Sequence, residues 1–563
     1  MKKVIALLLA AMLILAPTLN VSVQATEGQP LTNLTTGEKA KITTSSFKDN
    51  SVIVFMTNEA SLSKFQYNTS DFSAINCKSV TNLSHYTTEK VEMLLSKNTE
   101  LTNQTSDNDE LHSELETVDL SMFNQVLCLE LEQTGKDNVM EAIKLLEQHP
   151  DVLCAGPNYT FTLENEPIYT VPDAPSYLLK NSLRSITTND PYAYRQWAID
   201  AIGLSDAWAI ESGTSNRVVV GIIDGGIDAS HPDFKANNRQ RVDVSESQSF
   251  DELGRLSSES ATEDEYGHGT MVAGIIGAYT NNNKGISGVN WNVDMVSLRL
   301  IPDERGNYSM SQILSAIEYA DEQGIKILNL SGAATIDLGS WDEPCEENDP
   351  YPECMKHRIE QYSGLIICAA GNNYANLDNI DTYYPASYDF WNIIVVGAST
   401  SSDVLWIGNT TDNDPNNDGS NFGTTRVDLF APGHNIFTCF PLDLNQDLAG
   451  YVYNTGTSFA APYVAGVVSL IWSKYPNLSA EQVKRTLMNS VEMKPAYIGK
   501  CVTGGRLNAY CAVHDHISLL GCDYNDGITH MGYCDCGARW YETHNFVNIG
   551  DMDYCTGCGY VIT

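Results

Sequence analysis

Uninterrupted apolar runs recur through the middle of the chain, and segments of helical periodicity lie between them. Five of the runs lack polar alternation, as do strands that are buried on both faces of a sheet. These runs cover residues 217–224, 293–300, 325–330, 364–370 and 392–398. Helical patterns cover residues 267–279 and 311–323. Strands that alternate with helices predict an α/β fold with a mainly parallel sheet covered on both faces.

A longer apolar stretch, residues 456–476, predicts a buried helix that is entered through a tight turn. Ser458 stands at the helix start, where the helix dipole is positive, and Ala460 and Ala461 leave room for the backbone of another molecule. We expect Pro462 in the first turn, whose amides have no intrahelical partner. An N-cap role is the alternative for Ser458.

The front of the chain is polar and acidic, with two patterned pieces. Residues 51–56 predict a strand, and residues 126–161 predict strand, helix and strand in succession. Together they indicate a small α+β module. Residues 162–189 carry several prolines and are typical of a linker.

The composition of the chain indicates its number of domains, its partners and its location. A chain of 563 residues is expected to form more than one domain, and 42% hydrophobic residues suffice for a large core. A formal net charge of −38 disfavours nucleic acid as a partner. Residues 1–25 combine Lys2 and Lys3, an apolar run and a small-residue end at Ala25, which predicts a signal peptide. We therefore expect a secreted protein without a membrane anchor, an uncleaved anchor being the alternative.

Fourteen cysteines are many for a secreted chain. Short spacing makes Cys345 with Cys354, and Cys501 with Cys511, plausible disulfides. Cys368 and Cys439 are expected to be packed free thiols. In the tail, zinc coordination is one interpretation and a disulfide-stapled module the other. The candidate zinc ligands are Cys534, Cys536, Cys555 and Cys558.

Four polar residues stand at predicted strand ends and helix starts, next to glycine. They are Asp224, His268, Asn372 and Ser458. Taken one at a time, each of these residues is explained as a turn former or a helix cap. Because ligands of parallel sheets bind beyond the carboxyl ends of the strands, their joint occurrence predicts an active site there.

The segments VVGIIDGGIDASHPDF, GHGTMVAG and GTSFAAPYVAG contain three of these residues in the order acid, histidine, serine. In these motifs the chain resembles the subtilases, the subtilisin-like serine proteases, over roughly residues 189–513. The resemblance implies a three-layer subtilisin-like fold and an Asp224–His268–Ser458 triad. It also implies that Asn372 donates to the oxyanion. A catalytically idle surface or binding protein with this fold is the alternative.

The same resemblance implies where a polypeptide substrate binds. Residues 331–333 would pair with the substrate backbone, and Tyr383 would form the far wall of the main specificity pocket. The expected substrate-binding residues are Ser331, Gly332, Ala333, Ala370, Gly371 and Tyr383. A tyrosine at this position would make the pocket shallow, so we expect small or medium side chains before the cut. The alternative is that Tyr383 points to solvent.

Calcium is the structural ion that the resemblance implies. Asp233 and the loop 280–286 match family ligands, and Gln196 is a further contributor. Asn281 and Asn282 are the named loop ligands. A second run, residues 412–419, has alternating acids, for which a solvated polar turn is the alternative.

The front module resembles the inhibitory prodomain of this family, with an adhesive or spacer domain as the alternative. We expect the chain to cut itself between residues 161 and 190. The predicted organisation is a signal peptide (1–25), a propeptide (26–182), a catalytic domain (183–515) and a Cys/His-rich module (516–563). The expected partners are polypeptide substrates and the protein's own propeptide, and we expect a monomer.

Overall fold

The computed structural model describes residues 47–64, 66–84, 124–161, 188–236, 239–331, 353–379, 383–408, 419–444 and 450–514. It also describes the backbone of short strands at residues 334–335 and between residues 521 and 562. The predicted signal peptide and residues 162–187 of the predicted linker lie outside this part of the chain.

The front module is an antiparallel sheet with a helix packed on one face. Its elements are β1 (Phe47–Met56), α1 (Asn58–Ser63), β2 (Cys77–Asn82), β3 (Val126–Leu131), α2 (Lys136–Leu146) and β4 (Val152–Phe161). The strand order is β4-β1-β3-β2. Val139, Ala142, Ile143 and Leu146 lie on one side of α2 and are buried, which is the spacing of an amphipathic helix. The predicted strands and helix are present in this part of the chain, and α1 and β2 are additions to them.

The larger part of the structure follows, with alternating strands and helices. Its first half contains α3 (Ala198–Ala201), α4 (Leu204–Ile210), β5 (Val219–Asp224), β6 (Lys235–Ala236), β7 (Arg239–Gln240), β8 (Gln248–Phe250), β9 (Leu256–Ser257), α5 (His268–Gly277), β10 (Asp294–Leu300), β11 (Tyr308–Ser309), α6 (Met310–Glu322), β12 (Ile327–Leu330) and β13 (Ala334–Thr335). Its second half contains α7 (Glu353–Gln361), β14 (Leu365–Ala369), β15 (Tyr383–Tyr384), β16 (Ile393–Ser399), β17 (Leu429–Pro432), β18 (Ile436–Cys439), β19 (Tyr451–Asn454), α8 (Thr457–Lys474), α9 (Ala480–Asn489), β20 (Glu492–Met493), β21 (Gly505–Arg506) and α10 (Ala509–Val513).

The central sheet has the order β20-β21-β17-β16-β14-β12-β5-β10-β8-β9. Neighbours from β21 to β8 run parallel, and the edge strands β20 and β9 are antiparallel. Successive residues of a strand face opposite layers, so Ile222 packs with α5 and α8 while Ile223 packs with α6 and α7. The five predicted strands and two predicted helices are confirmed to within a few residues, and so is the mainly parallel sheet.

Helix α8 crosses the centre of one face of this sheet, and every residue from Thr457 to Ser473 is buried. Because the helix begins at Thr457, Pro462 lies in its second turn, and the prediction of a first-turn proline is wrong. Proline has no N–H to donate to the carbonyl four residues earlier, which is that of Ser458. The Ser331 hydroxyl donates to this carbonyl at 2.9 Å instead. A residue at the end of β12 thus replaces a missing helical bond.

The described cysteines up to residue 514 are buried, and Cys368 and Cys439 are free thiols, as predicted. The predicted Cys501–Cys511 disulfide is wrong, because Cys501 packs in the core on the side of α6 and α7, while α10, which carries Cys511, packs on the opposite face. The predicted Cys345–Cys354 disulfide stays a prediction, because Cys345 lies outside the described residues.

The tail contributes two three-stranded antiparallel sheets. They are formed by β22 (Gly521–Asn525), β23 (Thr529–Tyr533) and β24 (Arg539–Thr543), and by β25 (Phe546–Ile549), β26 (Met552–Cys555) and β27 (Val561–Ile562). Of the predicted zinc ligands, Cys555 ends β26, and Cys534, Cys536 and Cys558 lie outside the described residues. Within the described part of the chain, no helix combines the length and apolar character that crossing a membrane requires.

Candidate active site

The structure brings two of the predicted catalytic residues into contact. Asp224 ends β5 and is 1% exposed, and His268 begins α5. Nδ1 of His268 donates to Oδ2 of Asp224 at 2.8 Å and lies 3.0 Å from Oδ1. The N–H of Gly225 donates to the same carboxylate at 2.8 Å. A buried carboxylate therefore orients the imidazole and leaves its second nitrogen, Nε2, for other contacts.

The glycine after His268 allows this contact. A Cβ on Gly269 would lie 1.9 Å from the carbonyl oxygen of Gly226 and 3.2 Å from the Cβ of Asp224. Any side chain at this position would therefore push α5 away from the loop that follows β5. This close approach is the physical reason for glycine beside the histidine in the second motif.

A second buried carboxylate, Asp264, supports the start of α5. Its Oδ1 accepts from the N–H of Gly267 at 2.8 Å, and its Oδ2 accepts from the N–H and the hydroxyl of Thr270 at 2.8 and 2.6 Å. It thus satisfies amides that an isolated helix start leaves unbonded. Burial raises the pKa of Asp264 to about 6 despite these hydrogen bonds, and the charge of Asp224 adds to the rise. The sequence analysis missed Asp264, because a capping aspartate is expected directly before the helix start and not four residues earlier.

Burial and the two carboxylates act in opposite directions on the pKa of the imidazole. Burial lowers the pKa of His268, but the charge and the hydrogen bond of Asp224, together with the charge of Asp264, raise it above its ordinary value. The protonated imidazole is therefore stabilised in the place where a proton-accepting histidine would carry its charge.

Ser458 is the second residue of α8, after Thr457, and Gly456 occupies the N-cap position. The alternative N-cap role for Ser458 is therefore wrong. Its hydroxyl donates to the carbonyl of Ser331 at 2.7 Å and not to His268. The Phe459 ring centre lies 5.7 Å from that of the His268 imidazole, so the start of α8 adjoins the Asp224–His268 pair.

Asn372 follows β14 and is oriented by Thr457. Its Oδ1 accepts from the N–H and from the hydroxyl of Thr457 at 2.9 and 2.8 Å. Because a carbonyl oxygen must face these two donors, the amide nitrogen points elsewhere. A Cβ on Gly456 would lie 3.4 Å from this nitrogen. The Asn372 amide nitrogen therefore lies close to the start of α8.

The residues predicted to form the main specificity pocket include Gly371 and its neighbours. This residue has φ +96°, and a Cβ there would lie 2.5 Å from Nδ2 of Asn421 and 3.2 Å from the Tyr383 ring. The Ala370 backbone is bonded on both sides, to the Val396 carbonyl at 3.0 Å and from Asn421 Nδ2 at 2.8 Å. Tyr383 is 7% exposed, so the alternative in which it points to solvent is wrong. Gly332 and Ala333 lie outside the described residues.

The predicted calcium ligands are engaged with protein donors. Oδ2 of Asp233 accepts from the N–H of Ile286 at 2.8 Å and from the Tyr451 hydroxyl at 3.0 Å. Its Oδ1 accepts from Nδ2 of Asn282 at 3.0 Å. Gln196 exchanges two hydrogen bonds of 2.8 Å with the backbone of Ser287.

The oxygen of the remaining predicted ligand is engaged in the same way, since Oδ1 of Asn281 accepts from the N–H of Asn189 at 3.0 Å. Calcium requires six to eight oxygen ligands, whereas these oxygens face N–H and O–H groups. The residues present therefore do not fit the expected calcium ion, and residues 412–418 of the second run lie outside the described part of the chain.

Comparisons with known proteins agree on one family. The model of the subtilase family, Peptidase S8, matches residues 215–511, more than half of the chain. Thermitase of Thermoactinomyces vulgaris is 29% identical over 328 residues, which cover 58% of this chain and 99% of thermitase. Subtilisin DY of Bacillus licheniformis is 33% identical over 279 residues, which cover 49% of this chain and 83% of that protein.

A halolysin-like extracellular serine protease, Nep of Natrialba magadii, is 29% identical over 296 residues, which cover 53% of this chain and 47% of that protein. The matched region contains β5, α5, β14 and α8, the elements that carry the four polar residues of the candidate site. The chain therefore belongs to the subtilase family and is a subtilisin-like serine endopeptidase.

Proposed function

We propose that this protein is a secreted, self-processing endopeptidase in which Asp224, His268 and Ser458 form the catalytic triad. The observation that carries the proposal is the buried Asp224–His268 pair, with a 2.8 Å hydrogen bond, beside the first turn of α8. Neither a turn nor a helix cap requires an imidazole held by a buried carboxylate in this way. Secretion rests on the signal-like segment 1–25, and the Natrialba relative is named an extracellular protease.

The geometry supports a specific first step. With Nδ1–H bonded to Asp224, Nε2 of His268 is the basic nitrogen. Rotation about the Cα–Cβ bond of Ser458 would move its hydroxyl from the Ser331 carbonyl toward this nitrogen. Ser458 then attacks the scissile carbonyl while His268 takes its proton, and His268 later returns that proton to the leaving amine. Water hydrolyses the resulting acyl-enzyme by the same route.

Asn372 would stabilise the oxyanion together with the N–H of Ser458. The hydrogen bonds from Thr457 to Oδ1 hold the amide in one orientation, so its nitrogen needs little reorganisation when charge develops. Removal of such a donor typically lowers turnover about 10²- to 10³-fold.

The front module would act as the inhibitory prodomain. Phe161 at the end of β4 pairs with Tyr308 of β11, and their rings stack with centres 5.9 Å apart. A Cβ on Gly225 would lie 3.4 Å from the Tyr308 hydroxyl, so the module ends beside the loop that carries Asp224. The segment that follows Phe161 would then enter the active site and be cut between residues 161 and 190.

The position of Tyr383 supports a preference for small or medium side chains before the cut. Its buried ring lies against Gly371, next to Asn372, and would occupy the inner part of the pocket. Substrate backbone would pair along residues 331–333. A peptide library that shows strong preference for Phe or Tyr before the cut would contradict this specificity.

The triad assignment is tested by Ser458→Ala. We expect loss of peptidase activity, loss of fluorophosphonate labelling and accumulation of the unprocessed chain, because no other side chain of the site supplies the nucleophile. Labelled peptides are identified by mass spectrometry. Ser479→Ala is the control, since it removes the N-cap of α9, costs about 1 kcal/mol of stability and leaves labelling intact. A folded wild-type chain that is not labelled at Ser458 would favour the catalytically idle alternative.

A further inference from the structure

Two cysteine thiols meet across the surface where the front module contacts the larger part of the structure. Cys154 lies on β4, and Cys354 lies in the first turn of α7. Their Sγ atoms are 3.5 Å apart. Both side chains are buried, Cys154 with 8% of its surface exposed and Cys354 with none. The two sulfur atoms are therefore in van der Waals contact although the residues are far apart in sequence.

The surroundings hold the two sulfur atoms in register. Phe55, which pairs with Cys154 across β1 and β4, has its ring centre 6.1 Å from that of His357 on α7. At the far end of α7, Nε2 of Gln361 donates to Oδ1 of Asn124 at 2.6 Å. A disulfide has an S–S distance of about 2.0 Å, so the thiols need to approach by about 1.5 Å, which side-chain rotation can supply.

We propose that Cys154 and Cys354 form a reversible disulfide that locks the front module onto the catalytic part of the enzyme. The proposal rests on the proposed function, because it assigns the bond to a zymogen whose front module is the inhibitor. Cutting the linker after Phe161 would then leave two chains joined covalently, and the inhibitor would be released only after reduction. The pairing also differs from the sequence expectation, in which Cys354 was bonded to Cys345.

The oxidation balances as two thiol–disulfide exchanges with a low-molecular-weight disulfide such as oxidised glutathione. The Cys154 thiolate, on the more exposed residue, attacks that disulfide and releases one glutathione thiol. The Cys354 thiolate then attacks the mixed disulfide at Cys154 and releases the second. One S–S bond of glutathione is replaced by one S–S bond of the protein, and reduction by a dithiol reverses both steps.

The bond is tested first in the full-length Ser458→Ala chain, which needs no peptidase activity. After equilibration with oxidised glutathione, remaining thiols are blocked and the digest is searched by mass spectrometry. We expect a peptide joining Cys154 to Cys354 that disappears on reduction and is absent from Cys354→Ala. Cys77→Ala, which removes another buried thiol of the front module, should leave the cross-link unchanged. Recovery of both cysteines as blocked thiols, as separate glutathione adducts, or of a Cys345–Cys354 peptide would overturn the proposal.

The consequence is tested in the active enzyme. The oxidised, self-cleaved wild type should run as one species on a non-reducing gel and show at least a tenfold rise in activity on reduction, because a tethered inhibitor rebinds at an effective concentration near millimolar. Cys154→Ala should show no such rise. If the alanine variants do not fold, the activity of the wild type is compared with and without reductant. An unchanged activity would contradict the proposed disulfide between the front module and the catalytic part. A cross-link in Ser458→Ala with no activity in the wild type would refute the proposed function instead.

Discussion

Asp224 and Asp264 act on the same imidazole from two sides of the loop–helix junction that carries it. Asp224 makes a direct hydrogen bond to His268, whereas Asp264 bonds the backbone of Gly267 and the side chain of Thr270. Asp264 thus acts through the helix start and through its charge, as a positioning residue. Both carboxylates raise the pKa of His268 against the effect of burial.

Asp264→Asn should shift the acidic limb of the pH–activity profile to lower pH. The substitution removes a negative charge that stabilises protonated His268, so the pKa of the imidazole falls and the neutral base persists to lower pH. The measurement is kcat/KM as a function of pH. Asp378→Asn is the control, since Asp378 caps Thr424 and Thr425 in another loop. An unshifted profile with lowered activity would mean that Asp264 serves only as a helix cap.

Tyr383→Gly should raise the preference for large side chains before the cut by at least tenfold relative to alanine. Removal of a ring that packs on Gly371 opens the volume in which a large side chain could lie, and each methylene accommodated is worth about 1–3 kcal/mol. The measurement is kcat/KM for matched peptides with Phe or Ala at that position. Tyr383→Phe keeps the ring and should keep the preference; an identical profile for Tyr383→Gly would place the pocket elsewhere.

At the scale of elements, α6 and α7 form the platform under the front module, and one buried ion pair joins them. Arg358 on α7 bonds Glu318 on α6, and both side chains are almost fully buried. A second nitrogen of Arg358 lies 3.4 Å from Oδ2 of Asp321. Cys354 lies on α7 and Asn158 contacts α6, so the integrity of the platform affects both of these contacts with the front module.

Arg358→Ala should lower the free energy of unfolding by about 3–5 kcal/mol, because it breaks the buried ion pair with Glu318 by removing one of its members. Urea unfolding of the Ser458→Ala chain measures the loss without self-digestion. Arg255→Ala breaks an exposed pair with Asp251 and should cost less than about 1 kcal/mol. Equal losses for the two variants would show that the buried pair does not stabilise the platform.

At the scale of the whole molecule, the front module is attached by strand pairing, by a polar contact and by charge. Strand β4 extends onto β11, and Asn158 of β4 contacts the first turn of α6. Oδ1 of Asn158 accepts from the N–H of Ser311 at 3.1 Å, and its Nδ2 donates to the Ser311 hydroxyl at 3.1 Å. Lys48 of the front module also forms a salt bridge of 2.7 Å with Glu252 of the larger part of the structure.

Asn158→Ala should weaken binding of the cleaved module about 5- to 150-fold. The substitution leaves the buried N–H of Ser311 unbonded, which costs about 1–3 kcal/mol. The measurement is recovery of activity when the cleaved complex is diluted under reducing conditions. Lys48→Ala removes a pair whose glutamate is more than half exposed and should weaken binding less than about fivefold. Comparable effects would argue that charge, and not the buried contact, attaches the module.

Much of the fold could be predicted because the relevant signals are local. The apolar runs of β5, β12, β14 and β16 need no distant information, since a strand buried on both faces must be apolar throughout. The glycine-flanked acid, histidine, asparagine and serine were found in the same way, because tight turns and close backbone contacts leave glycine beside the functional residue.

Contacts between distant segments were decided only by the tertiary structure. The Ser331–Ser458 exchange, the Asp233 hydrogen bonds that occupy the expected calcium ligands and the Cys154–Cys354 contact each join residues from separate elements. Sequence spacing gave two wrong predictions. It paired Cys501 with Cys511, which lie on opposite faces of the sheet, and it placed Pro462 in the first turn of α8 instead of the second. The physical reason is that periodicity and turn chemistry act within a few residues, whereas hydrogen-bond partners and sulfur contacts depend on how complete elements pack.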